Sequence, residues 1–329
     1  MSDLSPRVIG LTIPTPFPIG PVNAYLIEDE PLTLIDSGPK TEEAWQALTS
    51  QLAAHGYQLS DIEQLVLTHP HIDHFGLLRR LVETLGLPVY AHRGSVSWLR
   101  ETPHEWERRG QFYRWVWRRA GVPPDALETQ LQIVQLGSFF SESLPDQAEI
   151  RVLGDGDTLR MGGVDWRVLH TPGHASSHIS LYEPHSQQMV AGDHLLLKVS
   201  SNPVLEPPPP GATERDRSLL DYMRSMRRVA RIDISVVWPG HGPAFHDHQT
   251  LIANRLAHHA DRAETLFALL AEQPLTVYEL TQRLFPRLPT PQLFLGLSEV
   301  IGHLDLLEER GRVREVEGED GVVRYHTGV

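Results

Sequence analysis

The chain has 329 residues, with 42 Asp and Glu against 29 Lys and Arg, a net charge of −13 and no cysteine. Its hydrophobic and charged fractions, 40% and 22%, are those of an ordinary globular protein long enough for one large domain plus a small one. The missing cysteines exclude disulfides and thiolate metal sites. The acidic balance argues against general affinity for nucleic-acid backbones, which usually needs an excess of Lys and Arg.

Met1 to Pro6 lacks a basic region and an apolar core, so no secretory leader is expected. No apolar run approaches the ~18 residues of a membrane span. The expectation is a cytoplasmic, soluble protein. Val8 to Ile13, Ala24 to Ile27 and Leu32 to Ile35 read as strands between Pro- and Gly-rich turns. Thr41 to His55 reads as an amphipathic helix, with Thr41 at its cap and Glu42 and Glu43 in its first turn. Leu65-Val66-Leu67 is a buried strand, Gly76 to Leu85 a helix and Pro88 to Ala91 the next strand, a βαβ rhythm that predicts an α/β fold.

Directly behind that buried strand stands Thr68-His69-Pro70-His71-Ile72-Asp73-His74. Three histidines and an aspartate within six positions, at a strand end, are the donor set that suits zinc and its divalent neighbours. Three later turns each follow a short apolar strand: Thr171-Pro172-Gly173-His174, Ala191-Gly192-Asp193-His194 and Trp238-Pro239-Gly240-His241. Each can bring a ligand-type side chain to the same sheet edge.

These motifs, with Leu34-Ile35-Asp36-Ser37-Gly38 upstream, resemble the metallo-β-lactamase-fold hydrolase signature over about residues 8 to 245. The resemblance implies a four-layer αββα sandwich with a binuclear centre. It makes His69, His71 and His174 ligands of one metal, and Asp73, His74 and His241 ligands of the other. It makes Asp193 the bridge and Asp36 a residue that orients a ligand from behind. Two divalent ions are implied, zinc first, with iron or manganese compatible. Leu77 departs from the pattern, standing where many members carry a second glycine.

Residues 93 to 119 interrupt the rhythm with seven Arg against three Glu, a local +4, and four of the seven tryptophans. The stretch reads as a helical pair, either packing on the sandwich or capping the metal site, with 93–148 as the insertion. As a cap, Arg114, Arg118 and Trp115 are candidate contacts for an anionic substrate with an apolar part. Arg interleaved with aromatics also suits a single nucleic-acid strand. Residues 121 to 148, with Pro123-Pro124 and Phe139-Phe140, read as loop-rich. Lys198, just past Asp193, is a further candidate contact to a substrate anion. Asp216 to Ala230 reads as a helix.

Residues 1–246 thus form the catalytic domain and 247–329 a smaller one. In the latter, Gln249 to Leu270, Val277 to Phe285 and Pro291 to Glu309 read as helices and Gly311 to His326 as a hairpin, a winged-helix-like order. The whole resembles the β-lactamase-like-2 branch, which includes single-strand endoribonucleases and thioesterase-like relatives, beside hydroxyacylglutathione hydrolases of the same fold. From Glu272 onward six Arg face ten acids, a net −4. The helix from Pro291 to Glu309 carries no Lys or Arg, and its Glu299, Asp305, Glu308 and Glu309 read as a face that repels phosphate. Duplex DNA is therefore not expected as a partner. Packing on the catalytic domain or on a second copy, as a homodimer, is.

The function expected is hydrolysis by a metal-bridging hydroxide with Asp73 as catalytic residue. The substrate is a small anionic or apolar thioester, ester or lactone; the alternative is phosphodiester hydrolysis in single-stranded RNA. A non-catalytic metal-dependent binding protein is the third reading, opposed by the full ligand set. His170, His178 and His194 are either proton donors or hydrogen-bonded supports.

Overall fold

The computed structural model describes residues 6–328, so the leader reading of Met1 to Pro6 lies almost wholly outside the described residues. The first sheet contains β1 (Val8–Ile13), β2 (Val22–Ile27), β3 (Thr33–Ile35), β4 (Gln64–Val66), β5 (Val89–His92) and β6 (Ile150–Leu153) in that spatial order. Its first three strands pair antiparallel and the rest run parallel. The parallel part is connected by α1 (Glu42–Ala54), α2 (Ile72–Phe75) and α3 (Leu78–Leu85), and by α4 (Val96–Arg100), α5 (Thr102–Arg119) and α6 (Pro124–Leu136). The second sheet runs β11-β10-β9-β8-β7, from β7 (Thr158–Met161), β8 (Val164–His170), β9 (Ile179–Glu183), β10 (Gln188–Gly192) and β11 (Val236–Pro239). α7 (Ser218–Val229) connects β10 to β11, which pair parallel.

Alternation along the strands makes the layers. In β2, Val22, Ala24 and Leu26 join the core under α1 and α3, where Leu48, Leu52, Leu78 and Leu81 are buried. Tyr25 and Ile27 point the other way, into a core shared with Met161, Trp166, Val168, Ile179 and Leu181 of the second sheet. The outer face of that sheet, through Leu169, Met189 and Val237, packs on Tyr222, Met223 and Met226 of α7. Helix, sheet, sheet and helix follow in that order, the αββα arrangement expected.

α6 corrects the sequence reading of 121–148 as loop-rich. Pro123 and Pro124 do not break structure there; Pro124 is the first helical residue, where its missing N–H costs nothing. Phe139 is exposed, while Phe140 turns back edge-on to Phe17 at 5.0 Å.

The remaining chain forms α8 (His248–Glu272), β12 (Leu275–Thr276), α9 (Val277–Leu284), α10 (Leu293–Glu309) and a hairpin of β13 (Val313–Glu317) and β14 (Val323–Thr327) that pairs with β12. Thr276 caps α9 in a capping box with Glu279. α10 is buried from Gly296 to Leu307. This corrects the picture of Glu299 and Asp305 as a solvent face. Glu299 is buried against Arg262 at 2.5 Å, and Asp305 takes two hydrogen bonds from Arg215 at 2.6 and 2.7 Å. The apolar core of these helices is continuous with that of α5 and α7. Among the described residues no helix is long and apolar enough to cross a membrane.

Candidate metal centre

Five strand ends converge. β4 runs through Leu67 and Thr68 into His69, and His71 then caps the N-terminus of the short α2, which carries Asp73 and His74. β8 ends at the turn bearing His174, β10 at Gly192 before Asp193, and β11 at Pro239 before Gly240 and His241. β3 ends at Asp36, which adopts a left-handed backbone with φ of 60°.

The glycines in these turns are required by space. Gly173, at φ 141°, lies so close that a Cβ would collide with the Tyr222 backbone. A Cβ on Gly192 would stand 2.7 Å from His178 Nε2, and one on Gly240 would fall on Asp193 Oδ1 and 2.9 Å from His74 Cε1.

The structure brings all seven expected ligand-type residues together. His69, His71 and His174 form one group, Asp73, His74 and His241 a second, and His69, His74 and Asp193 a third, each with ligand atoms within 4.8 Å of one another. His71 Nδ1 lies 2.8 Å from His174 Nε2. Asp193 sits between the groups, with Oδ2 3.4 Å from His174 Nε2 and 3.6 Å from His241 Nε2, and Oδ1 3.5 Å from His74 Nε2. Asp73 Oδ2 is 3.2 Å from His241 Nε2.

The donor set fits two divalent cations. The nitrogens His69 Nε2, His74 Nε2 and His241 Nε2 and the oxygen Asp193 Oδ1 are buried without hydrogen-bond partners, a costly state for polar atoms that nothing binds. Charges agree with this. Burial opposes the ionised form of Asp73, yet His74 and His241 overcome it and hold its carboxyl at about 2. Asp193 is likewise held well below the carboxylate range, against burial, by His241 and His74. Burial and neighbouring imidazoles push His69 and His71 well below the usual histidine value, leaving neutral rings with free lone pairs. For His74, burial is outweighed by Asp193, Asp36 and Asp73, which raise it well above that value. A region holding three carboxylates thus attracts positive charge.

Behind each donor stands a partner that fixes it. Asp36 Oδ2 is 2.8 Å from His74 Nδ1 and accepts from the Thr68 hydroxyl at 2.7 Å, while Oδ1 accepts from the Thr68 N–H at 2.8 Å. The Thr68 hydroxyl also lies 3.0 Å from His69 Nδ1. His241 Nδ1 faces the Pro21 carbonyl at 2.8 Å, and His174 Nδ1 the Asn202 carbonyl at 3.0 Å. Asn202 in turn donates to the Leu295 carbonyl in α10 at 3.1 Å. Asn23 and Tyr25 of β2 hydrogen-bond the Pro239 carbonyl. Of these, only Asp36 was singled out by the sequence.

The three spare histidines differ. His178 Nε2 accepts from the Asp193 N–H at 3.0 Å and its Nδ1 faces Thr171, so it props the Asp193 backbone. His170 Nε2 lies 2.8 Å from the Ser176 carbonyl and its ring stacks on His92. Burial holds His194 at about 3, and neither of its nitrogens has a hydrogen-bond partner.

The expected substrate contacts are exposed or paired with other side chains. α5 buries Glu105, Arg109, Tyr113, Val116 and Trp117; helical geometry turns Arg118 half a turn away from Arg109. Arg118 and Lys198 are exposed. Arg114 pairs with Glu128 of α6, and Trp115 is 58% exposed with Arg119 over its ring. Arg109 approaches instead. Its guanidinium lies 4.8 Å from the Trp98 ring and bonds Glu206 Oε1 at 3.0 Å, and Glu206 Oε2 accepts from the Ser176 N–H at 2.8 Å. Its charge contributes to the lowered value of His71. A cleft of about 190 Å³ beside this strut includes Arg93, Arg108, Arg109, Glu206 and Asp216 but none of the seven ligand-type residues.

Residues 18–241 match the model of the metallo-beta-lactamase superfamily, and residues 263–328 that of the metallo-beta-lactamase-like C-terminal domain. The chain belongs to the metallo-beta-lactamase superfamily. It is 40% identical over 304 residues to YqjP of Bacillus subtilis (strain 168), named a probable metallo-hydrolase, covering 92% of each chain. It is 22% identical to a beta-lactamase-like protein 2 homolog of Caenorhabditis elegans, over 91% of this chain and 82% of that one. The crystal structure of TTHA1429, a metallo-beta-lactamase family protein from Thermus thermophilus, superposes with a TM-score of 0.80 at 31% identity, covering 97% and 98%. The chain is accordingly a metallo-hydrolase of this superfamily.

Proposed function

We propose that this metallo-beta-lactamase superfamily member is a binuclear hydrolase of small anionic or apolar thioesters, esters or lactones in the cytoplasm. The observation that carries the binuclear reading is the pair of ligand groups joined by Asp193. His69, His71 and His174 would hold one ion, Asp73, His74 and His241 the other, and Asp193 would face both. Zinc suits these donors, as iron and manganese do. When bound, two such ions supply a nucleophile at neutral pH and draw charge from the oxygen of the bond being cut.

The residues do the rest. Asp73 keeps a carboxylate at the centre in its ionised form and orients the attacking group. Asp36 and Thr68 hold the rings of His74 and His69. His178 fixes the Asp193 main chain. No serine or cysteine nucleophile is required.

The RNA reading draws on the resemblance to the β-lactamase-like-2 branch, and the 93–119 arginines were its grip. Arg108, Arg109, Arg114 and Arg119 are answered by Glu105, Glu206, Glu128 and Glu317. That pairing favours a small substrate over a long polyanion. The order of α8, β12, α9, α10 and hairpin supports a winged-helix description of the tail, in a packing role given the burial of α10.

The test combines metal analysis with a substrate panel of thioesters, lactones, esters and single-stranded RNA. About two equivalents at the centre, with turnover of a small acyl substrate, is expected. RNA cleavage as the dominant activity would overturn the substrate reading, and one equivalent after supplementation the binuclear one. Asp73→Asn should keep much of the metal while kcat and kcat/KM fall together.

A further inference from the structure

Away from this centre, where α8 crosses α10, lies a second buried cluster of His259, Glu299 and His303, with ligand atoms within 4.8 Å of one another. His303 is on α10, and its Nδ1 faces the Glu299 carbonyl one turn back at 2.7 Å. That contact places the ring proton on Nδ1 and leaves a lone pair on Nε2. Metal-binding histidines are commonly fixed in this way, by giving their other ring N–H to a backbone carbonyl.

His303 Nε2 lies 3.2 Å from His259 Nδ1. Two imidazole nitrogens on one tetrahedral zinc, each ~2.0–2.1 Å from it, stand about 3.3 Å apart. The corresponding pair in the candidate centre, His71 and His174, is 2.8 Å apart. Burial lowers His259 to about 4 even though Glu299 opposes the shift, so the ring is in its neutral, ligating form.

Glu299 supplies the anion. One oxygen, Oε1, is bonded by Arg262 Nη1 at 2.5 Å, as carboxylate ligands are usually supported by a donor behind them. The Arg262 guanidinium itself rests over the Phe285 ring at 5.2 Å. All three candidate ligands are buried, His303 completely.

We propose that His259, Glu299 and His303 form a third metal site, which takes one divalent ion of the zinc type and fastens α8 to α10. Its role is structural. It lies on two helices of the C-terminal region and shares no residue with the candidate catalytic centre. It therefore stands whether or not that centre holds two ions.

The test uses the full-length protein, stripped with chelator and titrated with zinc alone, with bound metal counted after gel filtration. Three equivalents are expected. The His259→Gln, His303→Gln double variant should hold one fewer and lose part of the rise in thermal midpoint that zinc confers. Glu299→Gln keeps the shape of the side chain, and should weaken one equivalent at least tenfold. A His69→Ala, His174→Ala variant should lose metal from the candidate centre but keep one equivalent that depends on His303.

Equal stoichiometry with and without both α8 and α10 histidines would overturn the proposal, as would unchanged zinc affinity in Glu299→Gln. Two equivalents that both vanish with His69 and His174 would sink the third site and leave the binuclear reading intact. A single equivalent that depends on His303 would do the reverse.

Discussion

Asp36 Oδ2 lies 2.8 Å from His74 Nδ1, and the same carboxylate takes two hydrogen bonds from Thr68. One side chain thus orients a ligand-type imidazole and, through the Thr68 hydroxyl, steadies a second, His69. Asp36→Asn tolerates the left-handed backbone but turns an amide N–H toward His74 or Thr68 in place of an acceptor. Metal affinity should fall 10–100-fold with little change in circular dichroism. An unchanged affinity would show that Asp36 does not orient His74.

Gly240 makes room for Asp193. A methyl group there would fall on Asp193 Oδ1 and press on His74, so Gly240→Ala should lower metal content and activity together. Gly242→Ala, two residues on, adds a Cβ that meets nothing within 4 Å, though at a φ of 81°. It should cost stability but leave metal content near that of the unaltered protein. Zinc stoichiometry and the denaturant midpoint separate the two effects.

Two arginines of α5 should behave in opposite ways. Arg109→Ala strands the buried Glu206 carboxylate, and breaking a buried pair from one side costs ~3–5 kcal/mol. The denaturant midpoint should drop accordingly, and KM or kcat should move because Glu206 also holds the N–H of Ser176, two residues past His174. Arg114→Ala removes an exposed pair with Glu128. No measurable change in midpoint or KM is expected. A large KM effect at Arg114 would restore the cap reading of that face.

Acid should destabilise the metal-free protein partly through His259. Its folded value is about 4 against an ordinary 6.5, so between these values the unfolded chain binds the proton and the folded one does not. Stability therefore falls as pH drops from 6.5 toward 4, and the contribution is intact above 6.5. At 1.36 kcal/mol per pKa unit the full effect is ~3 kcal/mol. Urea unfolding in chelator at pH 7.5 and 5 should show a smaller pH dependence for His259→Gln than for the unaltered chain. Equal slopes would remove His259 from the acid response.

The ligand-type residues were legible because their chemistry is concentrated in short turns. His69, His71, Asp73 and His74 fall in six positions, and His174, Asp193 and His241 each follow an apolar strand. What holds them was not. Thr68, Asn23 and Asn202 act through hydrogen bonds to residues 32, 216 and 28 positions away, which the fold, rather than the sequence, brings near. α6 was hidden because a Pro-Pro pair at a helix start looks like a break. Glu299 and Asp305 looked solvent-facing because their arginine partners stand 37 and 90 positions away. The inward arginine was hidden for a related reason: sequence shows how many arginines there are, and only the helix face shows that Arg109 is the buried one.

Asn202 joins the His174 ring on one side to Leu295 of α10 on the other, and the neighbouring Leu205 N–H bonds the Ser298 hydroxyl. This bears on how the chain could be recombined with its relatives. A chimera cut at the start of α8 would inherit α10 from one parent and the segment that meets it from another. The natural crossover unit is discontinuous: α8 to the terminal hairpin, transplanted together with residues 199–206.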